Sequence, residues 1–214
     1  MFYLIGVNHD VQRHAPGAEF DAHQVELERC LSAAIEKCRP ALIAVEESED
    51  TLKDKRKGVC VVYESIPRNF ARRHAIEPML CEPSDDWKAQ HGCMDSLTLH
   101  LELSVSDLLR GIPSNQEKAA IAAVGMALFF PLREKYWLDQ FKDYLQSDVI
   151  FVLGDNHIDS FSSRLQALGV QVKVLCGGIG VTDTNRAESA TARGFPAKYP
   201  ELFRRMLLHF KESA

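Results

Sequence analysis

Short apolar runs alternate with amphipathic stretches along most of this chain. Phe2 to Val7 reads as a strand, bounded by His9-Asp10 and the loop around Pro16-Gly17. Asp21 is a suitable cap for a helix reaching Cys38, because Ala22, Val25, Leu31, Ala34, Ile35 and Cys38 recur at spacings compatible with one buried face; Arg39-Pro40 stops it. Ala41 to Val45 is a second short strand, ending in Glu46-Glu47-Ser48. Strand, helix and strand at this spacing form a right-handed βαβ unit, whose parallel strands bring His9 and Glu46 to one rim of the sheet.

The middle carries weaker signals. Val59 to Tyr63 fits a strand or a buried stretch of helix, Ile66 to Met79 a helix broken by prolines, and Pro83 to Cys93 a loop. A helical pattern returns from Leu97 to Leu109 and ends at Gly111-Ile112-Pro113. Ser114 and Glu117 form a capping-box signature ahead of an Ala-rich helix to Phe130. Pro131 is placed to start a further helix carrying Arg133, Trp137, Phe141, Tyr144 and Leu145.

Towards the end the opening pattern repeats. Val149 to Leu153 is an apolar strand, Gly154-Asp155-Asn156-His157 a turn, and Phe161, Leu165 and Leu168 mark a helix closed by Gly169. Val170 to Leu175 forms the next strand and leads into Cys176-Gly177-Gly178; Thr182 to Pro200 reads as a polar loop and Glu201 to Lys211 as a last helix. The expected fold is therefore α/β, with a mixed or mostly parallel sheet built from two related β-α-β halves and flanked by helices. Residues 1–214 form a single domain, with residues 64–130 as a mainly helical insertion.

Composition narrows the function. A formal charge of -5 speaks against non-specific attraction to nucleic acid or an anionic membrane, and the run Lys53 to Lys57 is short and mixed in sign. No stretch has the length and apolarity of a membrane span and the first residues lack a basic leader, so a cytosolic address is expected. The six cysteines (Cys30, Cys38, Cys60, Cys81, Cys93, Cys176) contain no CxxC pair and are expected as reduced thiols. Cys81 with His91-Gly92-Cys93 lacks the two tight ligand pairs of a zinc knuckle, and Cys176 reads as a small buried apolar residue rather than a nucleophile.

The chemistry is concentrated in the repeat. Gly6-Val7-Asn8-His9 and Gly154-Asp155-Asn156-His157 each follow an apolar strand. Gly, Asn and His at these places occur by chance roughly once in ten thousand positions. The glycine permits a sharp turn and close approach, and the histidine then projects from the sheet edge where ligands of open α/β sheets bind. Each histidine merely capping its own helix is the plainer alternative for a single copy. Glu46 follows an apolar strand on the same rim, and its neighbour Glu47 has the opposite parity, so that one of the two faces the cleft. Asp10 and Asp155 adjoin the histidines as candidates to orient them, with Asn8 and Asn156 beside them. Arg133 suits an oxyanion or an anionic substrate group.

Taken together, these residues resemble the superfamily that groups erythromycin-esterase-like proteins, haem-uptake-associated lipoproteins and TraB/Tiki proteins. The resemblance lies in two strand-terminal Gly-x-x-His motifs, Gly6 to His9 and Gly154 to His157, in Glu46 after the second strand, and in Arg133-Glu134-x-x-Trp137, where Trp137 replaces the usual methionine. It covers both ends of the chain and leaves about Val59 to Ile112 unmatched. It implies two related halves around a rim cleft, and either metal-dependent peptidase or metal-independent esterase chemistry. The expected activity is hydrolysis of an ester or amide bond in a small molecule or peptide. With a divalent metal (Mn, Zn or Co), His9, Glu46 and His157 would be its ligands around an activated water. Without one, a histidine oriented by Glu46 takes the proton from water, and the second histidine or Arg133 meets the oxyanion. A non-enzymatic, immunity-like protein binding a protein partner is the other reading.

Overall fold

The computed structural model describes residues 1–54, 61–94, 96–110 and 112–212. Part of the Lys53 to Lys57 run, part of the Val59 to Tyr63 segment, Cys60, Gly111 and the side chain of Ser114 lie outside the described residues. The chain divides into two compact units, the first made of Met1–Ser84 and Tyr136–Val181, the second of Asp85–Lys135 and Thr182–Ala214.

The first unit is an α/β sandwich. Its strands are β1 (Phe2–Val7), β2 (Arg13–His14), β3 (Leu42–Val45), β4 (Lys53–Asp54), β5 (Val61–Val62), β6 (Glu64–Ser65), β7 (Glu77–Leu80), β8 (Val149–Gly154) and β9 (Val172–Ile179). Five form the central sheet in the order β7-β3-β8-β1-β9, and every pairing in it is parallel. Parallel strands buried on both faces need helices on both. On one side Ile5, Val7, Ile43, Val45, Ile150 and Val152 pack under α1 (Ala22–Cys38) and α2 (Ile66–Arg73). On the other, Phe2, Leu4, Leu42, Ala44, Phe151 and Leu153 meet Trp137 and Phe141 together with Phe161 and Leu165 of α6 (Ile158–Ala167). The period of two along each strand sorts the side chains between these cores.

α1 begins where the sequence places it. Asp21 Oδ1 accepts from the backbone N–H of His23 at 2.8 Å and of Gln24 at 2.9 Å, while Gln24 Oε1 accepts from Asp21 N–H at 3.1 Å, completing a capping box. Leu27, Leu31, Ala34 and Cys38 form its buried stripe; Val25, expected on that face, is 54% exposed. Arg39 ends the helix in a left-handed conformation at φ 45°.

The sheet order makes the two halves interleave. β1 and β3 belong to the first β-α-β half, β8 and β9 to the second, yet β8 lies between β1 and β3, and β1 between β8 and β9. Each half thus crosses over the first strand of the other, and β1 and β8 become central neighbours, paired from Phe2 with Val149 to Val7 with Gly154. Both Gly-x-Asn-His turns leave adjacent strands at the same end of the sheet.

Several local expectations are corrected. The segment from Ile66 ends as a helix at Arg73 and returns as edge strand β7, where Pro78 is tolerated because the far side of an edge strand needs no donor. In the second unit, α3 (Asp85–Gln90) and α7 (Asp183–Lys198) occupy segments read as loops, alongside α4 (Ser96–Val105) and α8 (Pro200–Glu212). α7 starts with Thr182, whose hydroxyl accepts from Asn185 N–H at 3.2 Å. α5 (Ser114–Phe141) runs through Pro131 as one helix, contributing residues to Lys135 to the second unit and those from Tyr136 to the first. The second unit has its own apolar core, including Leu99, Leu103, Ala120, Val124, Phe195 and Met206. Among the described residues no helix is long and apolar enough to cross a membrane.

The cysteines also differ from expectation. Cys30 of α1 and Cys176 of β9 are joined by a disulfide across a sequence separation of 146. Cys38, Cys81 and Cys93 are buried and outside the disulfide, and burial pushes the thiols of Cys38 and Cys81 above the usual range.

Candidate active site at the sheet rim

β1, β8 and β3 are consecutive in the sheet, so their ends deliver His9, His157 and Glu46 to one place. Glu46 is the hub. Its Oε2 accepts the Gly154 N–H at 2.6 Å, which fixes the carboxylate across the end of β8. Its Oε1 lies 3.8 Å from His9 Nε2 and 3.7 Å from His157 Nε2. Two imidazoles 148 positions apart by their numbers therefore share one carboxylate oxygen.

The environments of the three differ. The Glu46 and His157 side chains are 0% and 2% exposed, whereas that of His9 is 46% exposed. Trp137 lies edge-on to His157 with ring centroids 4.9 Å apart, closing that side with apolar surface. On the opposite side of His9, Gln12 Nε2 is 3.4 Å from His9 Nδ1. A carboxylate facing Nε2 favours the proton on that nitrogen, which leaves Nδ1 as the acceptor and matches the amide N–H₂ that Gln12 presents.

The glycines of the two motifs make reciprocal space. A Cβ on Gly154 would stand 2.7 Å from His9 Nε2, and a Cβ on Gly6 would stand 2.5 Å from Asp155 Oδ1. Each turn therefore lies over the glycine of the other, an arrangement that interleaved strands require. Asp155 does not orient an imidazole through a bond seen here: its Oδ1 accepts the Gly178 N–H at 2.7 Å and ties the second turn to β9. Asn8 ties the first turn to the same segment, its N–H donating to Ile179 O at 2.8 Å and its Nδ2 to Gly180 O at 3.4 Å. Asn8 Oδ1 also accepts from Asp10 N–H at 3.3 Å; Asp10 and Asn156 are themselves exposed.

Glu47 takes the other face. It is 1% exposed, 3.6 Å from Arg13 Nε, and burial pushes its carboxyl up to about 7 against the opposing influence of Ser65, Arg13 and Arg68, with Glu46 adding to the rise. Neither of its oxygens completes a hydrogen bond among the described residues, and the same holds for Arg13 Nε and Gln12 Oε1. Arg133 is half-buried on α5 within the second unit.

The divalent-metal expectation is corrected. Among the described residues no group of three or more His, Cys, Asp or Glu is arranged to hold a metal ion. At the rim, one carboxylate serves two imidazoles and its second oxygen is committed to Gly154 N–H, so a coordination shell is not built. The sequence also gave no notice of Gln12 or of the Gly178 contact; Gln12 lay three residues beyond His9, where a short helical turn returns a side chain to its neighbour.

No family model, no curated protein and no solved structure matches this chain. The TraB/Tiki and erythromycin-esterase labels therefore receive no support from those comparisons, and the rim is interpreted from its own residues.

Proposed function

We propose that the first unit is a hydrolase of an ester or amide bond in a small molecule or peptide, with His9 as general base. The observation that carries this reading is the shared Glu46 oxygen, 3.8 Å from His9 Nε2 and 3.7 Å from His157 Nε2. Burial divides the labour. Half-exposed His9 can meet water and substrate, whereas Glu46 and His157 sit behind it. Water attacks the carbonyl carbon as His9 takes its proton at Nδ1, the nitrogen that Gln12 gives up when water and substrate bind; the proton then passes from Nδ1 to the leaving oxygen or nitrogen as that bond breaks. A buried carboxylate behind the ring favours the imidazolium as it forms, and the Gly154 N–H and His157 hold that carboxylate in place. The proposed compartment is the cytosol.

The test is turnover of short-chain p-nitrophenyl esters and chromogenic peptide anilides in the presence of EDTA. Wild-type protein is expected to hydrolyse at least one of them, and His9→Ala to lose about 10²–10⁴-fold, the usual span for a positioned base. A wild-type protein inert across the panel, or a His9→Ala protein of equal activity, overturns the reading.

A second reading, docking of a protein partner, is favoured by one observation. Leu97, Leu101 and Val105 form a stripe on α4 at i, i+4 and i+8 and are 67%, 55% and 86% exposed. It predicts a stoichiometric complex that survives loss of both His9 and His157.

A further inference from the structure

The last turn of β9 touches both histidine turns. Gly178 N–H donates to Asp155 beside His157, and Ile179 O accepts from Asn8 beside His9, at 2.7 Å and 2.8 Å. Gly180, at φ +70°, closes over Val11 and Asn8, so a side chain there would displace the first turn. Beyond Cys176, β9 pairs with β1 at Ile179 opposite Val7, and Ile179 is buried. β9 is an edge strand, its register against β1 shifts between Leu4 and Ile5 and again between Ile5 and Val7, and Gly177 to Gly178 add no side chains to the packing. Two residues before Gly178, Cys176 is bonded to Cys30 of α1. The disulfide thus pins a strand end that is hydrogen-bonded to both turns.

We propose that the Cys30–Cys176 pair is a redox switch for the rim: oxidised, it fixes β9 and with it the spacing of His9 and His157; reduced, it frees the strand end and loosens both turns. For its functional meaning the proposal rests on the hydrolase reading; its geometry does not. The reaction is thiol–disulfide exchange with a dithiol. A dithiol thiolate attacks one sulfur, the Cys30–Cys176 bond breaks, and the second dithiol sulfur closes a cyclic disulfide. The dithiol supplies two electrons and two protons, leaving Cys30 and Cys176 as thiols; a disulfide oxidant such as oxidised glutathione reverses the step. Access is through the Cys176 sulfur, which is partly exposed next to exposed Gly177, whereas Cys30, like Cys38, Cys81 and Cys93, is buried.

The test reads individual amides by NMR hydrogen exchange in the full chain, after oxidised glutathione and after dithiothreitol, with the Cys30 and Cys176 peptides followed by mass spectrometry. On reduction, Asn8 N–H and Gly178 N–H are expected to exchange at least about tenfold faster, while Gly154 N–H, held by Glu46, keeps its protection. Cys30→Ser and Cys176→Ser should each reproduce the reduced pattern and be insensitive to dithiothreitol. Failure of the linked peptide to form under the oxidant overturns the proposal, as does unchanged exchange at Asn8 and Gly178 after verified reduction. An equal rise at Gly154 also overturns it, because that is general loosening. None of these readouts requires turnover, so the switch and the hydrolase reading fail separately.

Discussion

Replacing Gly154 by alanine separates the site from the fold. Gly154 has φ -58° and ψ 133°, a conformation any residue adopts, so the substitution meets no backbone penalty. Its new Cβ would stand 2.7 Å from His9 Nε2, 2.9 Å from His9 Cε1 and 3.3 Å from Glu46 Oε2. Those distances lie inside van der Waals contact, and the half-exposed imidazole is the part free to move. We expect His9 to swing outward, with unfolding free energy changed by no more than about 1 kcal/mol, because relief of the clash leaves only the small entropic gain of a Gly→Ala change. Ester turnover should fall about 10²-fold or more as the base leaves its carboxylate. Gly6→Ala is the contrasting variant. Its Cβ meets Asp155 Oδ1 at 2.5 Å and Ile158 Cγ1 at 3.0 Å, where Asp155 is bonded to Gly178 and Ile158 is buried, so relief requires repacking that costs about 1–3 kcal/mol. Urea unfolding and p-nitrophenyl ester kinetics on both proteins provide the assay. Gly154→Ala with full activity, or with stability lost to the extent of Gly6→Ala, refutes the reasoning.

Other consequences follow from the same geometry. Glu47, raised from 4.5 to about 7 by burial, binds a proton in the folded chain that the unfolded chain has released between those values. Its contribution to stability is full below about 4.5 and is lost as pH rises through 7, a change of up to about 3 kcal/mol that Glu47→Gln should remove from urea titrations at pH 5 to 8. An unchanged pH slope in Glu47→Gln refutes this assignment. Gln12 fixes the His9 tautomer: ¹⁵N spectra of the neutral ring should show the proton on Nε2, and Gln12→Leu should shift the ring towards a tautomer mixture, whereas a wild-type ring protonated at Nδ1 contradicts the bond pattern. If α4 docks a partner, Leu101→Glu should abolish the complex with folding unaffected, since Leu101 is 55% exposed; a complex that persists removes α4 from the interface.

Much of the rim was legible because its signals are local and periodic. β1 and β8 are uninterrupted apolar runs that end in the same turn, and Asp21 announces the start of α1. The parity of Glu46 and Glu47 followed from the two-residue period of β3. What stayed hidden is non-local or weakly patterned. Nothing in a β-α-β spacing tells that β8 enters between β1 and β3, since that choice is made by packing of distant segments. The Cys30–Cys176 bond spans 146 positions, and no spacing rule reaches that far. α7 resembled a loop because it buries little beyond Ala192 and Phe195 and carries Pro196 within it. α5 passed through Pro131 because helix-forming residues on both sides outweigh one lost donor, a balance that sequence punctuation does not reveal.

The account stands or falls on whether His9 and Glu46 work as one unit. A double-mutant cycle on ester turnover, with His9→Ala, Glu46→Gln and the two combined, addresses this directly. Once His9 is gone the carboxylate has no base to support, so the combined variant is expected to be no slower than His9→Ala alone. If the two losses instead multiply, the imidazole and the carboxylate act independently and the proposed site is wrong.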